Sequence, residues 1–123
     1  MLPASLSGAV MDSLTYYNPA EELLDPRTLA TLQRRKLAAM LAELEDRNRF
    51  YTDKFANLAF DPLTDPLDSL PFTTRQELEA DQLAAPPYGT NLTYPVARYT
   101  RLHQTSGSGG RAMRWLDTPE SWN

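Results

Sequence analysis

Apolar side chains recur along residues 29–58 at steps of three or four, or multiples of them: Leu29, Leu32, Met40, Leu44, Tyr51, Phe55 and Leu58, with Leu37 and Leu41 widening the stripe. That period lays them on one face of an amphipathic helix. Asp25-Pro26 stands just ahead. An aspartate there caps free amides, and a proline at the first helical position loses no needed hydrogen bond. The pattern predicts a long helix over 25–59. Gln33-Arg34-Arg35-Lys36 and the acidic Glu43, Glu45 and Asp46 fall mostly on its other faces and read as solvated. A stripe this long and aromatic needs something to cover it. Residues 1–24 read as an irregular leader. In it, Tyr16-Tyr17-Asn18-Pro19 is an extended segment followed by a turn, because the residue before a proline avoids the helical region. The tyrosine pair is expected to pack.

Asp61-Pro62, Asp65-Pro66 and Leu70-Pro71 punctuate a turn-rich connector over 60–72. A second helix is predicted over 73–85. Its start offers two capping-box frames, Thr73 with Gln76 or Thr74 with Glu77, and Pro86-Pro87 must end it. Residues 94–117 then read as strand, loop and strand. Val96 to Gln104 is rich in β-formers, Thr105-Ser106-Gly107-Ser108-Gly109-Gly110 interrupts, and Arg111 to Leu116 resumes. Thr118-Pro119-Glu120 looks like a further helix start. A helix announced so close to Asn123 carries the expectation that these residues are the front of a longer protein. The expected fold class is therefore an α+β fragment: long helix, second helix, and a β-hairpin around a glycine-rich loop.

Composition narrows the chemistry. The chain has 123 residues, 41% of them hydrophobic and 23% charged, which fits one ordinary globular unit. Twelve basic against sixteen acidic residues leave a net charge of -4. No basic surplus exists to neutralise nucleic-acid phosphates, so no nucleic-acid partner is expected. Cysteine is absent, which removes disulfides, thiolate nucleophiles and cysteine-ligated zinc. The single histidine, His103, makes a histidine-rich metal site implausible, and no metal ligands are assigned. No apolar run approaches the roughly 20 residues that span a bilayer. The first residues lack a basic region, so no secretory signal is expected and a cytoplasmic location is. Asn91-Leu92-Thr93 matches a glycosylation sequon, which in that location is a chance match.

The segment that carries chemistry is His103 to Arg111. Glycines let backbone N–H groups gather around an anion, Thr105, Ser106 and Ser108 add hydroxyls, and Arg111 adds a cation with a fork of donors. A flexible Ser/Gly linker or a wide hairpin turn fits the same composition. The Walker A spacing is not present. Gly107, Gly109 and Ala112 formally meet the dinucleotide pattern, but that pattern needs a buried apolar strand before it and a helix after it. Here the preceding strand is charged, and Met113-Arg114-Trp115-Leu116 reads as another strand.

The stretch resembles the phosphate loop of the acyl-adenylate-forming enzymes. More narrowly, the chain resembles the beginning of a phenylacetate–CoA ligase-like protein. Tyr17-Asn18-Pro19 lies near the start, and Arg49-Phe50-Tyr51-Thr52-Asp53-Lys54-Phe55 is similar to the family's Pro-Phe-Tyr-containing helix end. Leu70-Pro71-Phe72-Thr73-Thr74-Arg75-Gln76-Glu77-Leu78 is similar to its Leu-Pro-x-Thr-x-Lys-x-x-Leu element. His103-x-Thr-Ser-Gly-Ser-x-Gly-Arg111 is similar to its His-x-Ser-Ser-Gly-Thr-Thr-Gly-Lys. The order and spacing of these elements, from residue 17 to residue 122, carry the resemblance.

The resemblance implies the amino-terminal portion of a large α/β domain. It implies an enzyme that activates a small carboxylic acid with ATP, usually with Mg²⁺, to an acyl-adenylate and then passes the acyl group to CoA. It implies that Thr105, Ser106, Gly107, Ser108, Gly109, Gly110 and Arg111 hold ATP phosphates. Backbone amides of Gly107, Gly109 and Gly110 and the hydroxyls of Ser106 and Ser108 would be the donors. Arg111 replaces the usual lysine, Gly109 the usual threonine and Ala112 the usual proline. The adenine, acyl and ribose sites of the family lie downstream of these motifs. The 123 residues are therefore expected to be inert alone, to bind no cofactor tightly, and to self-associate or be covered by the remainder of a ligase chain. The competing expectation is a non-enzymatic helical interaction module with a flexible Ser/Gly tail, its apolar stripe docking a partner helix.

Overall fold

The computed structural model describes residues 16–107 and 110–122. Two compact units divide the chain, residues 1–36 and 37–123, with the boundary inside a helix.

In the first unit, α1 is a short helix, Pro19–Glu22, led by Asn18. It interrupts the irregular leader expected for 1–24, of which residues 1–15 lie outside the described residues. Tyr17, expected to pack, is 86% exposed. Helix α2, Pro26–Leu44, starts where Asp25-Pro26 predicts. Asp25 Oδ1 accepts from the Arg27 and Thr28 amides at 3.0 and 3.1 Å, and Thr28 Oγ1 donates to Oδ2. These bonds, that from the Thr28 hydroxyl foremost, hold the Asp25 carboxyl below the usual carboxylate range. Lys36 pairs with Glu21 at 2.6 Å across this unit.

The second unit contains the main departure from the sequence reading. The predicted helix over 25–59 breaks after Leu44. Helix α3 is separate, Arg49–Lys54. Between them the Arg47 and Asn48 amides donate to the Leu44 carbonyl, and Asp46 adopts φ 60°. Glu45-Asp46-Arg47-Asn48 holds no apolar residue, and aspartate and asparagine tolerate the left-handed and capping conformations that end one helix and begin another. The apolar spacing on either side ran in phase across this break and concealed it.

Asn48 is the most deeply buried side chain among the described residues, 2% exposed. Its Oδ1 caps α3 by accepting from the Tyr51 amide at 3.1 Å. Its Nδ2 donates to Asn91 Oδ1 at 2.9 Å and Thr93 Oγ1 at 3.1 Å. The sequon residues are thus part of an internal hydrogen-bond cluster. The rings of Phe50, Tyr51 and Phe55 pack edge-on or tilted at 5.1 and 5.4 Å.

The connector contains one 3₁₀ turn, Leu67–Ser69. Helix α4, Arg75–Ala84, then begins. Of the two frames open in the sequence, Thr74 with Glu77 forms: the Glu77 amide donates to Thr74 Oγ1 and Glu77 Oε2 accepts from the Thr74 amide. Lys54, from α3, reaches this cap. Its Nζ donates to Glu77 Oε1 and to the Phe72 carbonyl, at 2.5 and 2.7 Å. The Thr90 amide and hydroxyl both donate to Asp81, which fastens the chain after Pro86-Pro87 to α4.

Strand β1 is Arg101–Gln104 and strand β2 is Arg114–Asp117, antiparallel, with Leu102 opposite Leu116 and His103 opposite Trp115. Both are shorter than expected. Val96–Arg98 forms a 3₁₀ turn, its Arg98 amide bonded to the Pro95 carbonyl. Tyr99 Oη accepts from the Thr93 and Tyr94 amides and closes this bend. Helix α5, Pro119–Trp122, follows β2. The apolar residues buried among those described are Leu78 and Met113. Met40, Leu63, Leu67, Phe72 and Leu102 each remain more than half exposed. No described helix is long and apolar enough to cross a membrane.

Candidate phosphate-binding loop

The loop Thr105–Arg111 joins the two paired strands, and its mouth is tied. The Thr105 amide donates to the Met113 carbonyl at 2.9 Å, and the Met113 amide donates to Thr105 Oγ1 at 2.8 Å. Threonine at 105 therefore closes the hairpin with its backbone and its side chain together. This closure moves Arg111, Ala112 and Met113 out of the strand predicted to begin at Arg111 and into the loop's exit limb.

Gly107 has φ 73° and Gly110 φ 151°. Glycine adopts both angles freely, and that at Gly110 lies beyond the left-handed region that aspartate or asparagine tolerates. A Cβ on Gly107 would also meet the Ala112 nitrogen at 3.1 Å and the Gly110 carbonyl oxygen at 3.3 Å. The Gly110 amide donates to the Gly107 carbonyl at 3.1 Å and closes a turn. That amide, which the resemblance implies as a phosphate donor, has the Gly107 carbonyl as its acceptor in this structure. Ser106 is exposed, and Ser108 and Gly109 lie outside the described residues.

Arg111 is exposed, and no described carboxylate pairs with its guanidinium. It is the cation the loop has to offer. His103, at the head of the motif, lies on the hairpin with Nε2 3.1 Å from Asp117 Oδ2. Among the described residues no group of three or more His, Cys, Asp or Glu side chains gathers as a metal site would require.

Sequence reasoning missed the residues that position this loop. Gln82, on α4, treats β2 as a neighbouring strand would: its Nε2 donates to the Arg114 carbonyl at 2.7 Å and its Oε1 accepts from the Arg114 amide at 3.0 Å. Arg114 in turn donates to Gln104 Oε1 and to the Pro87 carbonyl, at 3.1 and 3.2 Å. Arg75, at the other end of α4, donates through Nη2 to the Arg111 carbonyl at 3.4 Å. No local pattern announces such contacts. The one signal available was helical spacing, since 75, 78 and 82 share a face of α4.

The tied mouth, the glycine turn and an Arg111 with which no described carboxylate pairs fit an anion with several oxygens. The fit is looser than the motif alone suggests, because the Gly110 amide is already used.

No catalogued protein family matches the sequence, and no curated protein does. Among solved structures, the chain is similar to 2-hydroxyisobutyryl-CoA ligase. In the open conformation of that ligase with 2-HIB-AMP and CoA, the likeness covers 99% of this chain and 27% of the ligase chain, with TM-score 0.73 and 21% identity. In its postadenylation state with 2-HIB-AMP, the coverage is 99% and 25%, with TM-score 0.74 and 21% identity. The chain thus has the fold of the amino-terminal part of an adenylate-forming ligase, and it spans about a quarter of the length of those ligase chains.

Proposed function

We propose that this chain is the amino-terminal segment of an acid–CoA ligase, of the phenylacetate–CoA ligase-like kind, that converts a small carboxylic acid to an acyl-adenylate and then to a CoA thioester. The observation that carries the reading is the closed hairpin around Thr105–Arg111, set within a fold that matches a ligase over 99% of its length. The alternative, a helical docking module with a loose Ser/Gly tail, is disfavoured by the strand pairing on both sides of that loop.

In this reading Thr105, Ser106, Gly107, Ser108, Gly109, Gly110 and Arg111 form the phosphate loop. ATP supplies the leaving pyrophosphate that makes carboxylate activation favourable, with Mg²⁺ and CoA serving the whole ligase. Arg111 contributes positive charge through a planar fork of donors, which binds phosphate with more directional demand than the lysine usual in the family. Thr105 fixes the loop's mouth. Its Oγ1 accepts from Met113, so its own hydroxyl hydrogen remains available to a phosphate oxygen. Gly107 keeps the backbone tight against Ala112. The segment binds phosphate weakly and catalyses nothing alone, because positioning an acid against ATP requires groups beyond those of this chain.

Carboxylate-dependent pyrophosphate release, measured on the 123-residue chain and on a longer ligase that contains it, tests the proposal. The expected result is turnover in the longer protein, lost on Arg111→Gln, and none in the chain. Robust turnover by the chain alone, or a longer protein indifferent to Arg111→Gln, would overturn it.

A further inference from the structure

Helix α4 runs beside the exit limb of the glycine loop and meets it at successive turns. Gln82 holds Arg114, Arg75 holds the Arg111 carbonyl, and Leu78, on the same helix, is buried. Glu79 occupies the same face, four residues after Arg75. Its Oε1 accepts from Arg75 Nε at 2.6 Å. The same oxygen lies 3.8 Å from the position a Cβ would take on Gly110. The loop's exit therefore carries two guanidinium groups, Arg75 and Arg111, and one carboxylate, Glu79.

We propose that Arg75 is a second phosphate-binding cation of this loop and that Glu79 is its built-in antagonist, weakening the hold on polyphosphate. The inference rests on the reading of Thr105–Arg111 as a polyphosphate site. Its physical basis is the geometry of the pair. The Glu79 carboxylate occupies the Nε edge of Arg75, which fixes the guanidinium plane, while Nη2 reaches the loop backbone. The pair is partly solvated, with side-chain exposures of 47% and 29%, so the charges are screened but not silent. An anion arriving at the loop is attracted by Arg75 and Arg111 and repelled by Glu79. Neutralising Glu79 removes the repulsion and leaves Arg75 in place as an uncompensated charge.

The opposite sign distinguishes this role from a plain helix brace. An i,i+4 pair that only stiffens α4 would, when broken, loosen the loop and leave anion binding unchanged or weaker. An antagonist, when removed, makes binding tighter.

The test is a titration of the ¹⁵N-labelled chain with inorganic tripolyphosphate at low salt, following the Thr105, Gly107 and Arg111 amides. Saturable binding in the millimolar range is expected for the unaltered chain. Glu79→Gln should bind roughly threefold to tenfold tighter and Arg75→Gln weaker by a similar factor, as expected for one partly screened charge. Arg75→Lys should return binding to within about threefold of the unaltered chain, since charge is the property at issue. The gain from Glu79→Gln should shrink on raising salt from about 20 to about 200 mM. If the unaltered chain binds but Glu79→Gln does not tighten binding, the antagonist role is overturned and the phosphate-loop reading stands. If the unaltered chain shows no response at the loop, the phosphate-loop reading itself fails and this inference fails with it.

Discussion

Replacing Asn48 by alanine removes three hydrogen bonds at the least exposed side chain among the described residues, which is 2% exposed. One is the cap on α3, accepted from the Tyr51 amide; the other two bridge to Asn91 and Thr93. Loss of an N-cap costs about 1 kcal/mol, and each buried hydrogen bond about 1 kcal/mol. Asn91 and Thr93 are half-buried, so water reaches part of what is left and reduces the sum. Asn48→Ala should therefore cost about 2 to 3 kcal/mol. With a urea slope of about 1.5 kcal/mol per M, the unfolding midpoint should fall by about 1.3 to 2 M. Asn48→Ser keeps a capping oxygen but not the bridge, and should recover about 1 kcal/mol of that loss. The measurement is urea unfolding followed by circular dichroism. A loss below about 1 kcal/mol for Asn48→Ala would refute the claim that this residue joins the break after Leu44 to the segment that leads into the hairpin.

Glu77 is held down to about 2, first by Lys54 and then by Thr74. Its folded value lies below its ordinary 4.5, so the contact stabilises fully above pH 4.5 and is lost as pH falls from there toward 2. Lys54→Met should flatten that part of an acid titration followed by circular dichroism, and an unchanged acid limb would count against the latch. Gln82→Leu removes the strand-like grip on Arg114; the Thr105 amide should then exchange about tenfold faster while the Phe55 amide in the α3 region is unchanged. Equal rates at Thr105 would show that the hairpin needs no support from α4.

The parts of this fold written in local chemistry were readable in the sequence. Asp25-Pro26 and Thr74-x-x-Glu77 start helices because a side-chain oxygen and a free amide lie within one turn of each other. The hairpin around the glycine run followed from β-formers flanking residues that favour tight turns. The break after Leu44 was not readable. Its four polar residues fall where a continuous helix would also place solvent-facing residues, and the apolar period resumes in phase. Val96 has strand propensity, but Pro95 and the Tyr99 hydroxyl gather the backbone into a bend first. At the site, the loop's residues were legible and its supports were not. Gln82 and Arg75 reach partners 32 and 36 residues away, and contacts at that distance leave no mark in spacing or composition. The Gly110 amide shows the same limit: its residue type suggested a donor to a ligand, whereas its actual acceptor is a carbonyl three residues back.

In the proposed function, the closed bend between β1 and β2 holds the phosphates of ATP. Amide shifts of the ¹⁵N-labelled chain, recorded during parallel titrations with ATP and with adenosine, address it most directly. Shifts confined to Thr105–Arg111 and the adjoining Ala112, produced by ATP and not by adenosine, are the predicted result. Equal responses to both ligands, or ATP shifts that leave this bend unmoved, would contradict it.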